Sequence, residues 1–373
     1  MNLDDQKPIL GVFFTYGVSL KVWKHQGMLQ REITYYQRLA QQFATVYFFT
    51  YGKEDPAVMA MLREKGIVVK EKKVGIPNFF YSFLLPFLYK KELQECRVYK
   101  TNQMFGSWTG VLAKYLYKKK LLVRTGFTLS IFAKKKNLLK LFFAKMIEAC
   151  ALRACDACIV ATEEEKNYFS KYKNKVVVIP NFVDTDIFHP GLIDHPQKEE
   201  KTILFVGRLT EQKNLENLLH ALKGLSHISL QIIGAGELQS KLEQIVQTEQ
   251  LDVHFLGNKP YSEIPAFIQK ADVFVLPSLY EGNPKVLLEA MACGAPIVAT
   301  RVPGIENIIT HGENGYLCET DVHSIHQALQ AVLIDVALQQ SLGKNAAQCI
   351  QSEYSLSSIV KKEESLYNEF NIL

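Results

Sequence analysis

Arg208 and Lys213 lie in the run Ile203-Leu-Phe-Val-Gly-Arg-Leu-Thr-Glu-Gln-Lys-Asn214, where an apolar strand reaches Gly207 and a helical pattern follows over Leu215–Leu222. A planar guanidinium and a mobile ammonium beside one phosphate-sized space can together neutralise a diphosphate. An isolated Arg or Lys is more often a solvated surface residue. Placement at a strand end, where doubly wound sheets bind ligands, favours the chemical reading here.

The run Ala271–Gly294 carries a second set of candidates. A strand ending at Pro277 should lead into a loop with Glu281, Gly282 and Asn283, after which Pro284 opens a helix that Gly294 closes. The helix N-terminus would present N–H groups and a partial positive charge suited to a diphosphate. Because Pro284 has no N–H, Lys285 and Val286 must supply them. Glu281 and Glu289 would stand roughly 12 Å apart if the stretch were helical throughout at ~1.5 Å per residue. That spacing suits carboxylates accepting from hydroxyls along an extended nucleotide sugar, Glu281 at the sugar and Glu289 at the ribose. Leu287, Leu288, Met291 and Ala292 make this helix apolar nearly all round, so a buried Glu289 needs a partner.

These two runs resemble the donor-binding domain of the GT-B retaining glycosyltransferase family 4. The resemblance rests on Gly207-Arg-Leu-x-x-x-Lys213, on the pair Glu281/Glu289 and on Glu289-Ala-Met-Ala-Cys-Gly-x-Pro296. It extends through Gly234-Ala-Gly-Glu237, Phe255-Leu-Gly257, Pro303-Gly-Ile-Glu306 and Asn314-Gly315, over residues 180–318. Ile179-Pro-Asn-Phe-Val-Asp-Thr-Asp-Ile-Phe188 is similar to the family's domain junction, with Phe182 where glycine is usual. Asp184-Thr-Asp186 spells the metal motif of a different transferase fold, but its place in this junction favours a structural role. Gly234-x-Gly236 lacks the third glycine of a dinucleotide site.

The resemblance implies an α/β fold of two facing Rossmann-like, doubly wound domains with a cleft between them. It implies a retaining transferase of hexosyltransferase class that needs neither metal nor cofactor and moves a sugar from a nucleotide-diphosphate donor to a glycan or lipid-linked acceptor, as in cell-surface polysaccharide synthesis. Arg208 and Lys213 would stabilise the leaving diphosphate and Glu281 would position the sugar. Gly17, Gly207, Gly282, Asn283, Lys285, Val286 and Glu289 would complete the donor site. A nucleotide-sugar epimerase of the same fold and a non-catalytic nucleotide-sugar-binding subunit are the rival readings.

The N-terminal half resembles the family less closely. Gly17, in Tyr16-Gly-Val-Ser19 after the first strand, stands where the family has a loop approaching the donor phosphates; a plain β-to-α turn has comparable weight. Lys100-Thr-Asn-Gln-Met-Phe-Gly106 and Arg124-Thr-Gly126 each follow a strand and should reach one sheet edge. Asn102, Arg124 and Gly126 are thereby acceptor-side candidates, with Arg124 near a position where the family often has histidine.

Parallel, doubly covered sheets must hold these residues, because both halves alternate unbroken apolar runs with helical patterns. Strands are expected at 9–14, 45–50, 66–69, 97–99, 121–123, 157–161 and 176–179, then at 202–206, 229–233, 253–256, 273–277 and 296–299. An N-terminal domain over 1–183, completed by a helix at 356–373, is expected to be joined by a polar linker at 184–201 to a second domain over 202–355.

A chain of 373 residues is long for one core. Residues 1–190 hold 30 Lys/Arg against 16 Asp/Glu and residues 191–373 hold 13 against 22, so the halves carry +14 and −9. Such asymmetry points the first half toward an anionic partner. The Lys134–Ile147 stretch, read either as a basic amphipathic helix on an anionic bilayer or as a domain helix with solvated lysines, joins the aromatic run Phe79–Tyr89 and Lys118–Lys120 in favouring peripheral membrane contact. No motif supports nucleic-acid binding. Met1–Pro8 does not fit a secretory signal and Phe79–Tyr89 is short of a spanning helix, which leads to an expected cytoplasmic location at the inner membrane face. Seven cysteines suggest free thiols, with Cys155 and Cys158 as buried packing residues.

Overall fold

The computed structural model describes residues 7–126, 130, 138–173, 175–191 and 199–373. It forms two compact units, Met1–Pro180 with Val360–Leu373, and Asn181–Ile359. The division falls at Pro180/Asn181, where the sequence placed it at 183/184. Phe188 explains why the following segment packs with the second unit: its ring is fully buried in that core. Residues 192–198 of the expected linker lie outside the described residues.

The first unit contains a seven-stranded sheet of β1 (Ile9–Phe13), β2 (Thr45–Phe49), β3 (Ile67–Lys70), β4 (Val98–Thr101), β5 (Lys120–Arg124), β6 (Ala157–Val160) and β7 (Val176–Val178). The order is β3-β2-β1-β4-β5-β6-β7 and the pairs are parallel. Its helices include α1 (Asn78–Leu88), α2 (Ser107–Tyr117) and α3 (Leu138–Ala154), with α2 packed against both others. The four positions 134–137 of the basic stretch lie outside the described residues. From Leu138 the helix continues to Ala154, well beyond the expected Ile147.

The second unit's sheet runs β10-β9-β8-β11-β12-β13, again parallel, from β8 (Lys201–Val206), β9 (Ile228–Ile233), β10 (Val253–Gly257), β11 (Val273–Leu276), β12 (Ile297–Thr300) and β13 (Tyr316–Cys318). Strand β13 was not expected from sequence: its three residues, Tyr-Leu-Cys, lack the β-branched run that marked the equally short β7. Strands β11 and β12 are buried at every position, which is why their sequences run apolar without alternation. Helix α4 (Lys285–Ala292) lies under the second candidate run and α5 (Leu356–Glu369) closes the chain. Leu287 and Leu288 of α4 are fully buried, worth roughly 1.5–3 kcal/mol each, and anchor this helix.

Both sheets reverse strand order once, between β1 and β4 in the first and between β8 and β11 in the second. Loops leaving the carboxyl ends of strands on either side of such a switch diverge and leave a crevice. Gly17 and Asn102 follow β1 and β4. Arg208 and Glu281 follow β8 and β11.

Candidate functional site

In the second unit, β8 ends in Gly207 and a single 3-10 turn, Glu211–Lys213, brings Lys213 back under the loop. Close glycine packing sets the loop's course. A Cβ on Gly234 would stand 1.9 Å from the Gly207 carbonyl oxygen and one on Gly236 would stand 2.2 Å from that of Leu209. The Gly234-x-Gly236 pair therefore lets the loop after β9 press against the loop after β8. Arg208 is exposed and has no ion pair among the described residues, whereas Lys213 is 9% exposed.

Lys213 meets Glu281 directly. Its ammonium donates to Glu281 Oε1 at 2.5 Å, the same oxygen that accepts the Ser278 hydroxyl at 2.7 Å. Glu281 Oε2 has only a long 3.5 Å approach from the Gln212 amide, which leaves this oxygen acceptor capacity for a ligand hydroxyl. The two loops are also tied through the backbone, Leu279 N–H donating to Gln212 C=O at 2.8 Å. The short helix Pro303–Glu306 supports them from below, since a Cβ on Gly304 would lie 2.1 Å from the Gly282 carbonyl oxygen. Gln212 and Gly304 escape sequence reasoning because their contacts cross between separate loops, and Ser278 because a serine in the Glu281 loop has no distinguishing pattern.

Helix α4 begins one residue after the expected start: Pro284, expected as its first residue, is its N-cap and makes no side-chain cap hydrogen bond. The Leu287 and Leu288 amides turn back to the Pro284 carbonyl, so Lys285 and Val286 are the amides that lead the helix. Asn283 is pinned by Asn181, whose backbone N–H donates to Asn283 Oδ1 at 3.1 Å and whose side-chain amide donates to the Asn283 carbonyl at 2.8 Å. Glu289 is buried and accepts from the Tyr261 hydroxyl at 3.1 Å, the partner its apolar helix required. Since Glu281 to Pro284 precede the helix, the helical spacing between the two carboxylates does not apply. Gly207, Arg208, Lys213, Glu281, Gly282, Asn283, Lys285, Val286 and Glu289 thus belong to this one unit.

The remaining candidates belong to the first unit. Gly17 adopts φ +76° in the turn after β1, a conformation suited to glycine. The Tyr16 N–H next to it donates to the Phe105 carbonyl at 3.0 Å, an approach that Gly106 permits because a Cβ there would be 2.7 Å from the Tyr16 nitrogen. Asn102 Oδ1 accepts from the Tyr36 hydroxyl at 3.3 Å, and Gly126 N–H donates to Gln103 Oε1 at 2.9 Å. Arg124 ends β5, and its buried Nη1 has no hydrogen-bond partner among the described residues. Asn102, Arg124 and Gly126 therefore share the carboxyl edge of neighbouring strands.

Lys100 departs from expectation. Rather than opening an edge loop, it is the third residue of β4, is fully buried, and donates to both Glu363 oxygens at 2.5 and 2.7 Å and to the Tyr35 hydroxyl at 2.7 Å. Tyr35 and Tyr367 also donate to Glu363. Burial pulls the Lys100 ammonium from 10.5 to about 8 against the attraction of Glu363. Burial pushes the Glu363 carboxyl up, but Lys100 and the hydrogen bonds outweigh it and leave it below 4.5. In both cases the unfolded chain binds the proton more readily. Stability of the first unit should consequently rise with pH below 4.5 and again from about 8 toward 10. Above pH 10 the sign reverses, because burial holds Tyr35 and Tyr367 protonated in the fold while the unfolded tyrosines ionise. Urea unfolding at stepped pH should show these slopes, and Lys100→Met should abolish the one between pH 8 and 10.

Asp184 and Asp186 take the structural role assigned to them: Asp184 Oδ1 accepts the Asp186 N–H at 3.1 Å, forming the turn that delivers Phe188 to the core. All seven cysteines are free. Cys155 and Cys158 are buried, and burial pushes the Cys155 thiol up to about 11 and that of Cys158 well above its usual value.

Comparison with known proteins agrees with this architecture. A model of the glycosyl transferases group 1 matches residues 193–349, and one of glycosyltransferase family 4 matches residues 33–187. An uncharacterised glycosyltransferase of Methanocaldococcus jannaschii is 36% identical over 58% of this chain and 61% of its own length. The UDP-Gal:alpha-D-GlcNAc-diphosphoundecaprenol alpha-1,3-galactosyltransferase of Escherichia coli is 31% identical over 62% of this chain and 65% of its own. The chain thus spans less than two thirds of the length of these curated relatives. Among solved structures, Anabaena HepE in complex with UDP superposes with a TM-score of 0.78 at 17% identity, covering 97% of this chain and 100% of that one. Sucrose-phosphate synthase from Thermosynechococcus elongatus gives 0.75 at 20%, covering 97% and 99%. With a glycosyltransferase model matching each half and one parallel, Rossmann-like sheet in each unit, the chain belongs to the family 4 type of GT-B glycosyltransferases.

Proposed function

We propose that the chain transfers a sugar, with retention and without a metal ion, from a nucleoside diphosphate sugar to a glycan or lipid-linked acceptor in cell-surface polysaccharide synthesis. The observation that carries this reading is the partly desolvated Lys213–Glu281 pair beside the exposed Arg208, at the switch point of the second sheet. An ammonium has three donors, so Lys213 can keep Glu281 and still reach a phosphate oxygen. Arg208 supplies the second cation and the Lys285 and Val286 amides a third positive element, which together offset the diphosphate charge that a metal would otherwise meet.

As the bond from the anomeric carbon to the diphosphate oxygen breaks, its electron pair leaves with the phosphate and the sugar becomes oxocarbenium-like. The acceptor hydroxyl enters from the leaving group's own face and its proton passes to the departing phosphate oxygen. Glu281 holds a sugar hydroxyl through Oε2, and Glu289 a ribose hydroxyl. The E. coli relative named for a diphosphoundecaprenol-linked substrate supports a lipid-linked acceptor. The +14 charge of residues 1–190 supports contact with an anionic membrane, although no helix among the described residues is long and apolar enough to cross one.

Thermal stabilisation by UDP, GDP, ADP and TDP and their sugars, with and without EDTA, tests the donor site. At a hundredfold excess over Kd, binding contributes about 2.7 kcal/mol, or roughly 5–10 °C for a unit of this size. One nucleotide family should stabilise the wild type equally in EDTA and fail on Arg208→Ala. Equal responses of the two proteins would remove Arg208 from the phosphate site.

A further inference from the structure

The first unit contains an apolar groove of about 560 Å³ between α1, α2 and α3. Phe83, Trp108, Val111, Phe143, Met146 and Ile147 form its walls. The Trp108 indole N–H is turned away to the Ser82 hydroxyl at 2.8 Å, which leaves the ring's carbon surface for the groove. Apolar cavities of this size take small ligands rather than standing as packing defects.

One end of the groove is formed by Tyr16 and Phe105, whose rings lie 5.5 Å apart. Those residues belong to the loops after β1 and β4, the loops that also carry Gly17 and Asn102. At its other side the groove meets an apolar surface that no described residue covers, where Phe79, Phe87, Leu139 and Phe142 are each more than half exposed. The groove therefore connects the ligand edge of the sheet to a greasy face. A cation stands at that edge as well: Arg124 ends β5 there, and its buried Nη1 has no hydrogen-bond partner among the described residues.

We propose that this groove holds the hydrocarbon chain of a lipid phosphate acceptor, with the phosphate and its sugar at the sheet edge and the tail running out between α1 and α3. The inference rests on the reading that the acceptor is lipid-linked. A single chain fits the concave groove, whereas a bilayer surface would engage the convex Phe87 and Phe142 and leave the groove unfilled. Each methylene that enters tightens binding roughly fourfold.

Trp108 offers a direct readout, because the only other tryptophan, Trp23, is buried against Phe14 and Phe48 away from the groove. A dodecyl phosphate brominated at its terminal carbon, used below its micelle concentration, should quench Trp108 saturably. Bromopropyl phosphate should bind at least a hundredfold more weakly. Val111→Phe, which narrows the groove, and Met146→Asp, which charges a partly exposed wall and so spares the core, should each weaken the dodecyl probe tenfold or more. Absent saturable quenching, an unchanged response in both variants, or quenching only by brominated phospholipid in anionic vesicles would overturn the proposal. The last outcome would identify a bilayer-docking face instead. Nucleotide-dependent thermal stabilisation, measured alongside, depends on the second unit: its absence with quenching intact would refute the donor reading alone, and the converse would refute the groove alone.

Discussion

Lys213→Ala should lower kcat about 10²–10³-fold, the loss typical of removing one preorganised group that meets charge developing in the transition state. The ammonium is 9% exposed, so its field acts through a lower effective dielectric than that of the exposed Arg208. Alanine at 213 should therefore cost more than alanine at 208. The substitution also leaves the Glu281 carboxylate with Ser278 and Gln212 but no cation, a local penalty of about 1–3 kcal/mol. Lys213→Ala/Glu281→Gln separates the two effects: stability should return while kcat stays low. Recovery of kcat in the double variant would mean that Lys213 serves only to neutralise Glu281. Lys213→Arg is not a conservative control, because a planar fork cannot share itself between Glu281 and a phosphate in the space of an ammonium.

Lys100→Met should destabilise the first unit by about 3–5 kcal/mol, since Glu363 would be left charged and fully buried with hydroxyl partners alone. Both tryptophans, Trp23 and Trp108, lie in that unit, so fluorescence-detected urea unfolding reports it without the second unit. Lys100→Met/Glu363→Leu should regain part of the loss. Recovery should be incomplete because the Tyr35 and Tyr367 hydroxyls lose their common acceptor. A single variant as stable as the wild type would show that Glu363 is already protonated or hydrated in the folded chain.

The features readable from sequence were those fixed by neighbouring residues. Apolar runs marked twelve of the strands to within a residue or two, and Gly207, Pro284 and Gly294 punctuated the two segments that build the candidate site. Arg208, Lys213, Glu281 and Glu289 were legible because strand ends and helix starts determine where such side chains emerge. Unreadable were contacts between distant segments, Tyr261 with Glu289 across 28 positions of sequence and Lys100 with Glu363 across 263, and, within one loop, the contact of Ser278 with Glu281. Lys100 looked like an edge residue because a lysine in a buried strand is costly until its counter-ion is known. The groove was similarly invisible, since α1 read as an aromatic run and α3 as a basic amphipathic stretch, and α2 packs against both.

The residues Val360–Leu373, which belong to the first unit though they come last, impose an order on synthesis. At ~5–20 residues per second, the ribosome takes on the order of 10–50 s to travel from Lys100 to Glu363. Throughout that interval the strand carrying Lys100 has no native counter-ion, while the whole of 181–359 has emerged and can fold by itself. The nascent chain would thus mature from its middle outward, with the N-terminal sheet held open until Glu363 has emerged. Removing residues 360–373 would leave the second unit intact and the first unable to close, a form readily recognised by chaperones or proteases.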